Sequence, residues 1–249
     1  MSRNFAFLIC LFINFSSSAQ TIIELTAADL IKLCPVIKVG GGDWLDIEQL
    51  DNLRGSASGA SILLLHKLPE LLDVKIQYEP PTPFARQLIQ LDQGQLDVIA
   101  GIYPTKERQQ KYLFSHNYYY EKLFIFAKPN KIDRIAHFSD LENFFGGKIR
   151  AASYGVEIDE LYKRPNLSVA VNNQTERLGL LLKDRVDYFI GSISSVGDSP
   201  LMKDISISQK PIYRQAVALG FSPLSKCKNW IPKINGIIET HFMSKTDKN

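Results

Sequence analysis

Along this chain, short apolar runs of strand length alternate with stretches whose apolar residues fall at helical spacing. Val36 to Gly40 is such a run, and Gly40, Gly41 and Gly42 end it with residues that permit a tight backbone path after a buried strand. Asp43, Trp44, Leu45 and Asp46 follow as a loop, and Ala60 to Leu68 has the length and apolarity of a helix. Val74 to Tyr78 alternates apolar and polar residues as a strand does, until Pro80, Pro81 and Pro83 close it off. Phe84, Leu88 and Leu91 share one helix face, Gln93 and Gly94 end that helix, and Leu96 to Ile99 begins another buried strand. The order β-α-β-α-β predicts a largely parallel sheet with crossover helices.

After a polar loop at Pro104 to Gln110 and an aromatic stretch through Tyr118, Tyr119 and Tyr120, the pattern starts again. Strands are expected at Leu123 to Ala127, Lys148 to Ala152, Ser168 to Val171 and Val186 to Ile190, with helices at Ile158 to Tyr162 and Arg177 to Lys183. Ala216 to Phe221 returns as a strand, and Trp230 to Phe242 ends the pattern as a helix. Two successive sets of strands and helices predict two similar α/β lobes.

Composition narrows the class. With 45% hydrophobic and 22% charged residues, the 249-residue chain reads as an ordinary globular protein. Arg3, the apolar run Phe5 to Phe15, and then Ser16, Ser17, Ser18 and Ala19 have the order of a secretory signal peptide, cleaved after Ala19. Loss of Arg3 lowers the formal charge from +3 to +2, and no dense basic patch points to nucleic acid. Cleavage leaves Cys34 and Cys227, which in an oxidising compartment form one disulfide or remain two buried thiols.

The stretch from Gly94 through Asp97, Gly101, Thr105 and Arg108 to Phe114-Ser115 and Tyr118-Tyr119 resembles the family 3 extracellular solute-binding proteins, the amino-acid receptors of ABC importers and their relatives. Leu178, Leu181, Val186 and Asp187 resemble the family's second Val-Asp strand. The resemblance implies a periplasmic binding protein-like type II fold, with two α/β lobes joined by a two-stranded hinge and a ligand cleft between them. It places a discontinuous first lobe at residues 20–122 plus 215–249, behind the signal peptide 1–19, and a second lobe at 123–214. It further implies a monomer in the periplasm that captures a small-molecule solute by lobe closure, with an ABC permease or a membrane sensor as partner and no cofactor.

Arg108 matches the family's arginine that grips a ligand carboxylate through paired hydrogen bonds, a geometry suited to a guanidinium fork. Backbone amides from Gly101 to Tyr103 and the helix start at Thr105 are expected to complete an anion site. Trp44 falls where the family sets an aromatic ring against the ligand, and Ser153 and Tyr154 fall near its second-lobe carboxylate loop, with Arg150 just before them as a second positive charge or a surface residue. The family's aspartate for the ligand ammonium is absent, the matching region reading Gly191, Ser192, Ile193, Ser194. Ser192 is retained there as a polar contact, and Asp43 or Asp198 would have to supply a charge. A ligand ammonium closed into the cleft without a carboxylate would cost several kcal/mol, so a polar or anionic solute is expected. No nucleophile elbow or metal-spaced His/Cys cluster argues for an enzyme, although dehydratases occur on this fold; the adjacent acids Asp159 and Glu160 read as a solvated helix face.

Overall fold

The computed structural model describes residues 25–41, 57–135, 137–196 and 200–242. The first lobe opens with α1 (Ala27–Leu33), which the periodicity did not single out. Thr26 caps it by accepting from the Asp29 amide while the Asp29 carboxylate takes the Thr26 amide. Then follow β1 (Val36–Gly40), α2 (Ala57–Leu72), β2 (Lys75–Tyr78), α3 (Phe84–Asp92) and β3 (Val98–Ile102). β1 lies between β2 and β3 and is parallel to both, as expected of crossover connections. A short α4 (Lys106–Gln109) and β4 (Leu113–Phe114) lead into β5 (Tyr119–Ala127).

The second lobe contains α5 (Pro129–Ile132), β6 (Gly146–Ile149), α6 (Val156–Lys163), β7 (Ser168–Val171), α7 (Gln174–Leu182), β8 (Tyr188–Gly191) and β9 (Ser206–Ile207). The strand expected at Lys148 to Ala152 stops at Ile149, because Ala151 turns the backbone into the left-handed region at φ 62°. β10 (Tyr213–Phe221) then carries the chain back, and α8 (Ile231–His241) follows a 3₁₀ turn at Lys226–Trp230.

β5 and β10 are each nine residues long and antiparallel, and they make the hinge. Tyr119 to Leu123 of β5 face Val217 to Tyr213 of β10. Beyond that crossing, Ala218 to Phe221 pair with β3 and β4, whereas Phe124 to Ala127 pair with β8 and β9. Each strand therefore has one end in each lobe. The cores divide at the same place: Tyr118, Val217 and Trp230 pack with the first sheet, and Leu123, Ile125 and Tyr188 pack with the second. This is the two-lobed α/β fold with a two-stranded hinge.

The aspartates of the two Gly-x-x-Asp-like motifs do the same work in both lobes. Asp97 donates its amide to Lys38 O and accepts the Lys38 amide on Oδ2 (2.8 Å). Asp187 repeats this with Phe145, donating to its carbonyl and accepting its amide on Oδ2 (2.9 Å). The carboxylate thus locks the entry of one strand to its neighbour, and Asp97 also accepts from the Ser225 hydroxyl. Asp97→Ala will leave the Lys38 amide without its acceptor and lower stability by about 1–2 kcal/mol, measurable as a reduced urea midpoint at unchanged slope.

At the far end of the first lobe, Cys34 and Cys227 are joined in a disulfide with Cα atoms 5.2 Å apart. Trp230, fully buried beside it, donates Nε1–H to the Cys34 carbonyl (3.1 Å).

Candidate ligand-binding site

Between the lobes lies a cleft that is partly open to solvent. The end of β3 and the start of α4 form one wall, the middle of β5 forms the floor, and the loops after β6 and β8 with the first turn of α7 form the other wall.

Arg108 reaches across this cleft. Its Nη1 donates to Tyr103 O on its own lobe and its Nη2 to Ala151 O on the other, both at 3.0 Å. The guanidinium lies over the Phe84 ring at 5.1 Å. Burial pushes its pKa down to about 10, opposed by the nearby Asp159 carboxylate, so it remains a cation at neutral pH. Two of the five guanidinium N–H donors are used in these bonds, which leaves Arg108 able to take an anion.

Several other expected residues line the cleft with their polar atoms already committed. The Gly101 amide, expected to face an anion, donates instead to the Tyr118 hydroxyl (2.9 Å), because φ 76° at Gly101 turns it toward the buried phenol. Tyr103 lines the cleft, but its hydroxyl donates to Glu121 Oε2 (2.6 Å). Burial first, and the Glu121 charge next, hold that phenol well above its ordinary pKa. Thr105 lies outside the cleft lining, since its hydroxyl caps α4 by accepting the Arg108 amide (3.3 Å). Trp44, Asp43 and Asp198 lie outside the described residues.

On the second lobe Ser153, Tyr154 and Ser192 line the cleft. Ser153 donates to Asp159 Oδ2 and the Tyr154 amide to Asp159 Oδ1, at 2.5 and 2.8 Å. Only Glu160 of the acidic pair is a solvated surface residue, in a pair with Lys163. Asp159 turns inward to order the loop, and burial raises its pKa despite those two donors. The Tyr154 hydroxyl accepts from the Ile149 amide (2.8 Å) and from Arg177 (3.1 Å), so it points into the lobe. Gly155 at φ 108° ends this loop, where a Cβ would come within 2.8 Å of the Tyr213 ring. Ser192 shares a hydrogen bond with Ser194 (3.0 Å) and accepts the Ser195 amide (3.1 Å). Arg150 is exposed, beside Asn172 and the Ala170 carbonyl.

The model of the bacterial extracellular solute-binding proteins, family 3, matches residues 42–246. The chain belongs to that family. Similar solved structures of the same fold include holo ArgBP from T. maritima, 18% identical, with TM-score 0.69 over 88% of this chain and 96% of that one. The amino acid ABC transporter substrate-binding protein AbpA from Streptococcus pneumoniae, bound to L-arginine, is 17% identical, with TM-score 0.64 over 83% of this chain and 88% of its own. The ancestral amino acid-binding protein AncCDT-1, a precursor of cyclohexadienyl dehydratase, is 18% identical, with TM-score 0.65 over 86% and 93%. No curated protein matches the chain.

This family 3 protein contains two charged cleft residues that its motifs did not reveal. Glu121, on the floor in β5, is buried and accepts from Tyr103 of the first lobe and Ser194 of the second (3.0 Å). Its signal was the strand alternation, which sets Glu121 on the same face as Leu123 and Ile125. Arg177, in the first turns of α7, is 1% exposed and lines the second wall. Its signal was the helical spacing, since Gln174, Arg177, Leu178 and Leu181 share the inward face.

Proposed function

We propose that this chain is an exported receptor that captures a small polar or anionic solute by closing its two lobes and presents it to an ABC importer. The cross-cleft position of Arg108 carries the reading. A cation from one lobe that also touches the other gains most from a ligand anion when the cleft is shut. The ligand thus stabilises the closed state by its differential affinity. The moving bodies are residues 20–122 with 215–249, and residues 123–214. Residues 1–19 are the leader, and the mature protein works as a monomer outside the cytoplasmic membrane.

Native mass spectrometry of the mature chain purified under gentle conditions tests the reading. One copurified small acid or polar solute per chain is expected. Adding that solute back to stripped protein should raise the melting temperature and reduce the radius of gyration in solution scattering. A stripped protein that neither melts higher nor compacts with any recovered solute would refute capture by closure.

A further inference from the structure

We infer that Arg177 is a second anion anchor, on the second lobe where Arg108 stands on the first, and that the cleft selects a solute with two separated carboxylates. The inference rests on the proposed capture of a solute between the lobes.

The Arg177 guanidinium is buried, and among the described residues each of its hydrogen-bond partners is neutral. Nη1 donates to the Tyr154 hydroxyl (3.1 Å) and to Ile190 O (2.8 Å), and Nη2 donates to Gln174 Oε1. Nε is buried with no hydrogen-bond partner. The Phe189 ring lies 4.3 Å from the guanidinium carbon and contributes a face of weak negative potential, not a charge. The backbone has been kept clear for this group: a Cβ on Gly191 would come within 2.9 Å of Nη2.

Glu121 on the cleft floor and Asp159 below the Ser153 loop are committed elsewhere. Glu121 accepts from Tyr103 and Ser194, and Asp159 accepts from Ser153 and the Tyr154 amide. Among the described residues Arg177 therefore has no ionic partner. An arginine cannot shed its proton to escape burial as a lysine can, and a buried charge without a counter-charge is costly. The cavity wall is where that counter-charge can come from outside. With Arg108 presenting donors from the opposite lobe that no described residue takes, the two cations suit two acidic groups at the two ends of one solute. Lobe closure brings both ends into contact at once.

Calorimetric titration of the mature protein with paired solutes tests this directly: L-glutamate against L-glutamine, L-aspartate against L-asparagine, and succinate and glutarate to show whether an ammonium group is also read. Each acid and its amide have nearly the same shape and differ at one group, a carboxylate against a neutral carboxamide. At least one diacid should bind about tenfold or more tightly than its monoamide, the worth of one charge-assisted hydrogen bond. Arg177→Gln should abolish that preference by weakening the diacid about tenfold more than its amide. Gln174→Glu is the second variant, since it satisfies Arg177 internally without truncating it. An acid in the first turn of α7 also suits the helix dipole, so the fold is retained while the diacid preference is lost. Equal affinity for acid and amide, or no binding of any diacid, overturns the inference. The capture reading is judged separately, by the copurified solute.

Discussion

Arg108→Ala will remove nearly all of the thermal stabilisation that the solute confers, while the unliganded protein stays folded. A fork of two charge-assisted hydrogen bonds is worth about 1.5–3 kcal/mol per bond, so even at the lower figure its loss weakens binding by about 100-fold. At a solute concentration of 100 times the wild-type dissociation constant, linkage gives about 2.7 kcal/mol of stabilisation, which falls to about 0.4 kcal/mol in the variant. The unliganded variant will itself melt a few degrees lower. The Tyr103 and Ala151 carbonyls lose their donor, and one contact between the lobes disappears with it. Arg108→Lys keeps the charge but not the planar fork and should recover only part of the shift. A wild-type shift in Arg108→Ala, read by differential scanning fluorimetry with the copurified solute, would remove Arg108 from the binding site.

The paired substitution Cys34→Ala and Cys227→Ala will lower global stability by about 3–5 kcal/mol. The bridge spans 193 residues, so it constrains nearly the whole unfolded chain, and native contacts do not recover that loss of entropy. Both cysteines are buried, and the Trp230 bond to the Cys34 carbonyl remains available, so the native arrangement should persist at reduced stability. Urea unfolding of oxidised protein and of the double variant, with a free-thiol count on unfolded, unreduced chain, measures both parts. A count of two thiols, or coincident unfolding curves, would contradict the expectation.

The motif around Asp97 was readable from its spacing, although the partners of its carboxylate, Lys38 and Ser225, lie far away in sequence. One carboxylate on a strand entry meets one neighbouring backbone amide, and the same device recurs at Asp187. The committed polar atoms of the cleft were not readable in that way. The Gly101 amide looks free until Tyr118 folds under it, and Thr105 looks like part of an anion site until its hydroxyl caps the four-residue α4. Asp159 and Glu160 are neighbours in the chain, but the helix turns one inward and the other to solvent. Arg177 was passed over because a charged residue in an ordinary helix pattern is usually solvated, and its burial depends on Phe189, Tyr154 and Gly191, each brought to it by another element.

Periodicity by itself determined the alternating strands and helices of two α/β lobes, and the resemblance carried by the Gly94 to Tyr119 motif implied the family fold and made Arg108 a candidate. These properties depend on residues close in sequence, whose faces follow from helix and strand geometry. Tertiary structure decided the hinge and the character of the cleft. Tyr119 to Leu123 meet Tyr213 to Val217 across some ninety residues, and that pairing sets Glu121 on the floor between the lobes. It is also folding that leaves Arg177 without a carboxylate partner among the described residues, because a carboxylate can neutralise an arginine only if the two are brought together, and Glu121 and Asp159 have been turned to other donors.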